Sequence, residues 1–94
     1  MQPTMHPLSN IRPFPVQTPP LDSSQRSLLE FVSTSAVVNG LVRRRAQALL
    51  LIDEGEPFAD IALLVPMPPR ALQSLALRHR RAGVRAALFH RRFA

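Results

Sequence analysis

Apolar residues recur at helical spacing along the chain, beginning with two long patterns. The first starts at the N-cap candidates Asp22 and Ser23 and continues to about Ser33. The second runs from about residue 37 or 39 to Glu54, and Gly55 suits the left-handed position that follows a helix. We predict a buried stripe and an outward side for this second helix, formed respectively by Val38, Leu41, Val42, Ala46, Leu49 and Leu50 and by Arg43, Arg44 and Gln47.

Two shorter helices are predicted on either side of the proline-rich stretch VPMPPR. Pro57 opens one of them and Pro66 ends it, with Phe58, Ile61, Ala62 and Val65 on one face. The next helix begins with Pro69 at its first position and closes at Gly83; its inward residues are Leu72, Leu75 and Ala76. The tail VRAALFHRRFA is expected to add a further turn or two of helix. Because no alternating strand pattern occurs, the predicted fold class is all-α, with four to five helices.

Residues 1–20 form a segment of different composition, predicted to be an extended proline-rich arm that precedes a domain over residues 21–94. The arm contains more than half of the ten prolines, which lack the N–H group that a helix requires. We expect it to serve either as a linker or as a segment that lies in a partner's groove through Ile11 and Phe14.

Charge is distributed unevenly along the 94 residues. The formal net charge is +6, all the basic residues other than histidine are arginine, and every acidic residue precedes the VPMPP stretch. The arginine-rich part after it is expected to attract polyanions such as nucleic acid, although a solvated basic surface would have the same composition. No apolar run approaches the roughly 20 residues that span a bilayer, so we expect no membrane association and a cytoplasmic location.

A short helix, a proline-rich break and a longer polar-faced helix together have the layout of a helix-turn-helix, whose second helix lies in the DNA major groove. We expect Ile61, Val65, Met67, Leu72 and Leu75 to fill the wedge between the helices. The recognition helix is predicted over about 69–82. We expect Arg70, Gln73 and Ser74 to contact base edges. The expected phosphate contacts are Arg43, Arg44, Arg78, Arg80 and Arg81.

The stretches VRRRAQALLLIDEG and RRAGVRAAL carry a resemblance to a known family, which extends over roughly residues 21–92. They resemble the N-terminal helix-turn-helix domain of mariner-like insertion-sequence transposases. The resemblance implies a homeodomain-like fold that binds double-stranded DNA, here without the acidic catalytic domain that follows it in those enzymes. It thus implies a small regulator or the targeting subunit of a mobile-element or defence system.

The chain departs from this family in the turn and at two apolar positions. Pro66 stands where the family usually has glycine, and Pro68 and Pro69 stand where a capping serine or threonine is usual. Leu63 and Leu77 are expected to be exposed and, with Phe89 and Phe93, to contact a protein partner or a second copy of the chain. The alternative function is therefore a protein-interaction module or dimerising adaptor.

RNA binding is a third possibility, which the scarcity of exposed aromatic residues argues against, since Phe31 and Phe58 are expected in the core. We expect neither an enzyme nor a small-molecule substrate, because no histidine–acid pairing and no cysteine is available for catalysis. No cofactor is expected. The three histidines lie too far apart in sequence to predict a metal site.

Overall fold

The structure is a computed structural model that describes residues 17–91, and helices are its only regular secondary structure within that range. Residues 17–20 of the predicted arm are non-helical, whereas residues 1–16 lie outside the described residues. The prediction of an all-α fold is confirmed. The five helices are α1 (Ser23–Thr34), α2 (Gly40–Asp53), α3 (Phe58–Leu64), α4 (Pro69–Ala82) and α5 (Val84–Leu88).

The two long helices begin at polar N-cap residues. Asp22 accepts a hydrogen bond from the Gln25 backbone N–H at 2.7 Å, and the Gln25 side chain accepts one from the Asp22 N–H at 3.0 Å. Asn39 caps α2 by accepting from the Val42 N–H at 3.0 Å. Each cap satisfies backbone donors that have no partner within the helix, and each contributes about 1 kcal/mol.

The turn between α3 and α4 is rich in proline, whose ring fixes φ at about −65°. Val65 and Pro68, the residues that flank the turn, both have extended backbone angles, with φ of −121° and −69°. The Met67 N–H donates to the Val65 carbonyl at 2.6 Å within this turn. Pro69 occupies the first helical position of α4, where its missing N–H costs nothing. The chain thus reverses with Pro66 at the position where the resembled family usually has glycine, because the fixed negative φ of proline fits this turn.

Helix α2 contacts each of the other four helices and organises the core. The six largest fully buried side chains come from all five helices, and burying each one stabilises the fold by roughly 1.5–3 kcal/mol. They are Leu29, Leu49, Ile61, Leu72, Leu75 and Leu88. Val65 and Met67 are also buried, which confirms the predicted wedge between α3 and α4.

The side chain of Asp53 links the C-terminal end of α2 to the N-terminal part of α1. Asp53, at the end of α2, pairs with Arg26 and also accepts a hydrogen bond from the Leu21 N–H at 3.0 Å. Near the other end of α1, the Gln47 side chain donates to the Ser33 carbonyl at 3.1 Å. Gln47 was predicted to face outward; that prediction is wrong, because its amide satisfies a carbonyl that the last turn of α1 leaves without a helical partner.

Two further burial predictions are wrong. Phe31, expected in the core, is 68% exposed, because Leu29 and Val32 define the buried side of α1 and Phe31 lies about 100° from Val32 around the helix. Leu41, expected in the buried stripe of α2, is 38% exposed. It lies one turn before Arg45, on a side of α2 that borders an open groove rather than the packed core.

Candidate nucleic-acid interface

Helix α4 separates into a buried side and an outward side. The buried side consists of Leu72, Leu75, Ala76 and His79. On the outward side, five of the residues predicted to contact DNA are exposed, namely Arg70, Gln73, Ser74, Arg80 and Arg81. At 3.6 residues per turn, Arg70, Ser74 and Arg81 fall in one stripe along the helix. The exposure predicted for these side chains is confirmed.

Two other α4 residues are less accessible than expected. Leu77 lies in the same stripe as Ser74 and Arg81 and was expected to be exposed, but it is only partly exposed. Arg78 is also partly buried, and it lines a groove that runs beside α4. The expectation that Leu77 contributes a fully exposed apolar contact is therefore wrong.

The first two arginines of the run Arg43–Arg44–Arg45 lie toward the N-terminal end of α2. The Arg43 Nη1 donates to the carbonyls of Ser35 at 2.7 Å and Val38 at 2.9 Å, both in the connection between α1 and α2. Arg44 is partly buried, with Nη1 3.2 Å from the point where a Cβ on Gly40 would lie. The outward orientation predicted for Arg43 is wrong, because the connection leaves carbonyls that its guanidinium satisfies.

Arg45, the third arginine of this run, was not singled out from the sequence and is 4% exposed. Its Nη1 donates to the carbonyl oxygens of Leu88 at 3.1 Å and His90 at 2.8 Å. Arg45 therefore fastens the end of α5 and the following residues to α2. A sequence signal for its burial exists, since Leu41, Val42, Ala48 and Leu49 precede and follow it at spacings of three and four.

A groove of about 590 Å³ runs beside the N-terminal half of α4 and has a basic lining. It is bordered by α2, by the proline-rich turn, by α4 and by the residues after α5. Its polar side chains are Arg45, Arg70, Ser74, Arg78 and His90, and none of the described residues that line it is acidic. We call it the basic groove.

The electrostatic character of this part of the molecule follows from the order of charges along the chain. Residues 66–91 contain no acidic residue, and the exposed arginines of α4 are joined by Arg85 on α5 and Arg91 after it. Asp53 lies eight residues after Arg45 in α2, roughly 12 Å farther along the helix axis. The basic groove and the outward side of α4 therefore form one positively charged region.

Exposed apolar side chains also lie on α3 and just after α5. Leu63 and Leu64, adjacent on α3, are 84% and 66% exposed, and Phe89, which follows α5, is also exposed. The exposure predicted for Leu63 is confirmed. Phe89, predicted to contact a protein, is exposed, whereas Phe93 lies outside the described residues. Phe58 was expected in the core; it is partly buried and packs against the edge of the core.

Within residues 17–91, no three histidine, aspartate or glutamate side chains gather as metal ligands would. None of the helices in the same range is long and apolar enough to cross a membrane. Comparison of the chain with protein-family models, with curated proteins and with solved structures finds no match. The resemblance to transposase domains thus stays a prediction from the sequence.

Proposed function

We propose that this protein binds double-stranded DNA as a homeodomain-like helix-turn-helix module, with α4 as its recognition helix. The observation that carries the proposal is the division of α4 into an apolar side that fills the core and a basic, polar side that faces out. Helix α4 is about 21 Å long and packs against α2, α3 and α5, which fix the position of its outward side. Such a rod fits the roughly 12 Å wide major groove.

The residues at the N-terminal end of α4 suit base recognition. Arg70 and Gln73 are exposed there, where recognition helices contact base edges. An arginine fork pairs with guanine O6 and N7, and a glutamine amide pairs with adenine N6 and N7. Arg80 and Arg81, toward the other end, suit phosphate contacts that position the helix without reading sequence.

The resemblance to transposase domains supports the same proposal and suggests a role. A DNA-binding module that lacks a catalytic domain could act as a small regulator or as the targeting subunit of a mobile-element or defence system. The proposed DNA contacts are Arg70, Gln73, Ser74, Arg78, Arg80 and Arg81, with Arg44 as a further phosphate contact.

The test is a titration of labelled mixed-sequence duplex DNA at several salt concentrations, followed by fluorescence anisotropy. We expect binding at about 50 mM salt whose affinity falls steeply with salt. Replacing Arg81 by alanine should lower the slope of log affinity against log salt by about 1, since one phosphate contact is lost. Arg26→Gln is the charge-matched control, because Arg26 pairs with Asp53 at the far end of α2.

Absence of binding at low salt would remove the proposal. Equal effects of Arg81→Ala and Arg26→Gln would also contradict it, because they would show attraction to net charge rather than to the outward side of α4.

The adjacent exposed leucines of α3 favour a second candidate function, a protein-interaction module or dimerising adaptor. An apolar pair that protrudes from a basic protein suits contact with a second copy of the chain or another protein. Sedimentation at rising concentration tests self-association. A monomer at all concentrations would exclude the homodimer, and a dimer dispersed by Leu63→Glu would support it.

A further inference from the structure

The outward side of α3 combines two exposed leucines with one exposed carboxylate. Leu63 and Leu64 are 84% and 66% exposed, and Asp60, one turn before them, is exposed as well. At about 100° per residue, Asp60 lies roughly 60° from Leu63 and roughly 40° from Leu64 around the helix, so the three side chains share one side. Ile61 belongs to the opposite side and is fully buried. Because the core uses that opposite side, the leucines remain open to solvent in a single chain.

Charges of opposite sign flank the apolar pair. Asp60 precedes the leucines, and Arg70, the first charged residue after them, is exposed just beyond the proline-rich turn. Between them, Pro66 and Pro68 are exposed and carry no charge. Among residues 17–91, neither Asp60 nor Arg70 takes part in an ion pair. The exposed residues from α3 to the start of α4 therefore follow the order acid, leucines, prolines, arginine.

This order is self-complementary under two-fold symmetry. In a two-fold dimer the same surface of each copy meets itself, so that a contact from residue i to residue j is matched by one from j to i. When two α3 helices pack antiparallel with their leucines at the axis, Asp60 of each copy comes to the side on which Arg70 of the other copy lies. A second copy of the chain thus supplies both the apolar surface and the opposite charges that this side of α3 leaves unmatched.

We infer that the outward side of α3 is a homodimer interface, in which Leu63 and Leu64 pack against the same leucines of a second copy and Asp60 pairs with Arg70 across the two-fold axis. Removing the leucines from water drives the association, and the two symmetry-related ion pairs fix the antiparallel direction. A guanidinium has five N–H donors, so this pairing leaves Arg70 donors for a DNA base. The inference rests on the second candidate function and adds the interface and its symmetry.

Self-association is measured by sedimentation of the full chain without DNA. The surface is small, and interfaces that bury less than roughly 1,200 Å² are typical of weak complexes, so concentrations up to about 1 mM are needed. Salt of about 150 mM screens the repulsion between two chains that each carry a formal net charge of +6. Under these conditions we expect a monomer–dimer equilibrium with no larger species.

A charge exchange tests the predicted ion pair. Asp60→Arg and Arg70→Asp should each weaken dimerisation about tenfold, because each places like charges together twice in the dimer. The double variant should restore association to within about twofold of the parent protein, since it reverses both partners. Glu30→Arg is the control matched to Asp60→Arg, because Glu30 is an exposed acid on α1 and undergoes the same change of charge; it should leave association unchanged.

The restoration is the decisive readout of this exchange. Asp60 lies in the first turn of α3, where a carboxylate also favours the helix dipole, so a loss of association by itself could arise from a weakened helix. Circular dichroism of each variant measures the helix content directly.

Crosslinking tests the position of the two-fold axis. The chain has no cysteine, so a single introduced cysteine can form a disulfide only between copies. Leu63→Cys or Leu64→Cys should give a disulfide-linked dimer under mild oxidation, because a residue at the axis lies close to its own counterpart. Ala82→Cys, exposed at the far end of α4, is the control and should stay monomeric on a non-reducing gel.

A dimer that crosslinks at one of the leucines and is restored in the double charge variant supports the inference. If the crosslink or the restoration fails, the copies meet through another surface or in another orientation, and the inference is overturned while the dimerising module stands. A monomer at all concentrations overturns both. Species larger than a dimer overturn the two-fold symmetry. DNA binding by α4 is measured separately, so its failure does not bear on this interface.

Discussion

The Nη1 atom of Arg45 lies 2.8 Å from the carbonyl oxygen of His90, across 45 positions of the sequence. The same nitrogen donates to the Leu88 carbonyl, which the end of α5 leaves without a helical partner. Arg45 thereby links α2 to the end of α5 and the residues that follow it, and it also lines the basic groove. Its structural role can be separated from its charge.

Replacing Arg45 by alanine should lower the free energy of unfolding by about 2–4 kcal/mol, because buried carbonyls lose their donor and the side chain leaves a void. Urea unfolding followed by circular dichroism measures the change. Arg80→Ala, which removes the same charge from an exposed position, should stay within about 0.5 kcal/mol of the parent protein. Similar stabilities for the two variants would contradict the structural role of Arg45.

Gly83 is the residue at which α4 ends and α5 begins, and its φ of 94° with ψ of 174° belongs to a region that only glycine adopts readily. No heavy atom lies within 4 Å of a Cβ placed there, so Gly83→Ala tests backbone strain alone. We expect a loss of about 1–3 kcal/mol in thermal or urea unfolding.

Gly40→Ala is the control for Gly83→Ala, since Gly40 is the first residue of α2 and a new Cβ there would meet only the guanidinium ends of two side chains, Arg44 at 3.2 Å and Arg43 at 3.8 Å. Its stability should be unchanged or slightly higher, because alanine favours a helix. If Gly40→Ala lowered the free energy of unfolding more than Gly83→Ala, the α4–α5 junction would not need a positive φ.

Helix α3 offers a matched pair of apolar residues two positions apart. Ile61 is fully buried, and Ile61→Ala should cost about 2–5 kcal/mol of unfolding free energy. Leu63→Ala should change it by less than about 0.5 kcal/mol, because Leu63 is almost wholly exposed in a single chain. A large, concentration-dependent loss for Leu63→Ala would instead reveal that this leucine is buried between copies of the chain.

Arg43 and Arg81 should respond in opposite ways to alanine substitution. Arg43 bonds two carbonyls of the α1–α2 connection, so Arg43→Ala should lower unfolding free energy by about 1–2 kcal/mol. Its salt slope for DNA should match that of the parent protein. Arg81→Ala should leave stability unchanged while reducing the salt slope by about 1. A reduced salt slope for a stably folded Arg43→Ala variant would contradict this prediction and would indicate that Arg43 contacts DNA.

The sequence by itself determined where the helices begin and end, because those limits depend on short-range chemistry. The Asp22 and Asn39 caps act within three residues, and the prolines at 57, 66 and 69 restrict their own and neighbouring backbone angles. The glycines at 55 and 83 take the positive φ that follows a helix. Helical spacing also identified the apolar side of α4, and hence its basic outward side.

Only the tertiary structure decided which sides of the other helices are covered and which arginines are free to act. Phe31 is exposed although it is aromatic, and Arg45 is buried although it is charged, because burial depends on where neighbouring helices end. Arg43 and Arg45 are two positions apart and chemically identical, yet Arg43 donates to carbonyls of the nearby α1–α2 connection, whereas Arg45 donates to carbonyls more than 40 residues farther along the chain. The basic groove is likewise a tertiary feature, since its residues converge only when α5 folds back onto α2 and α4.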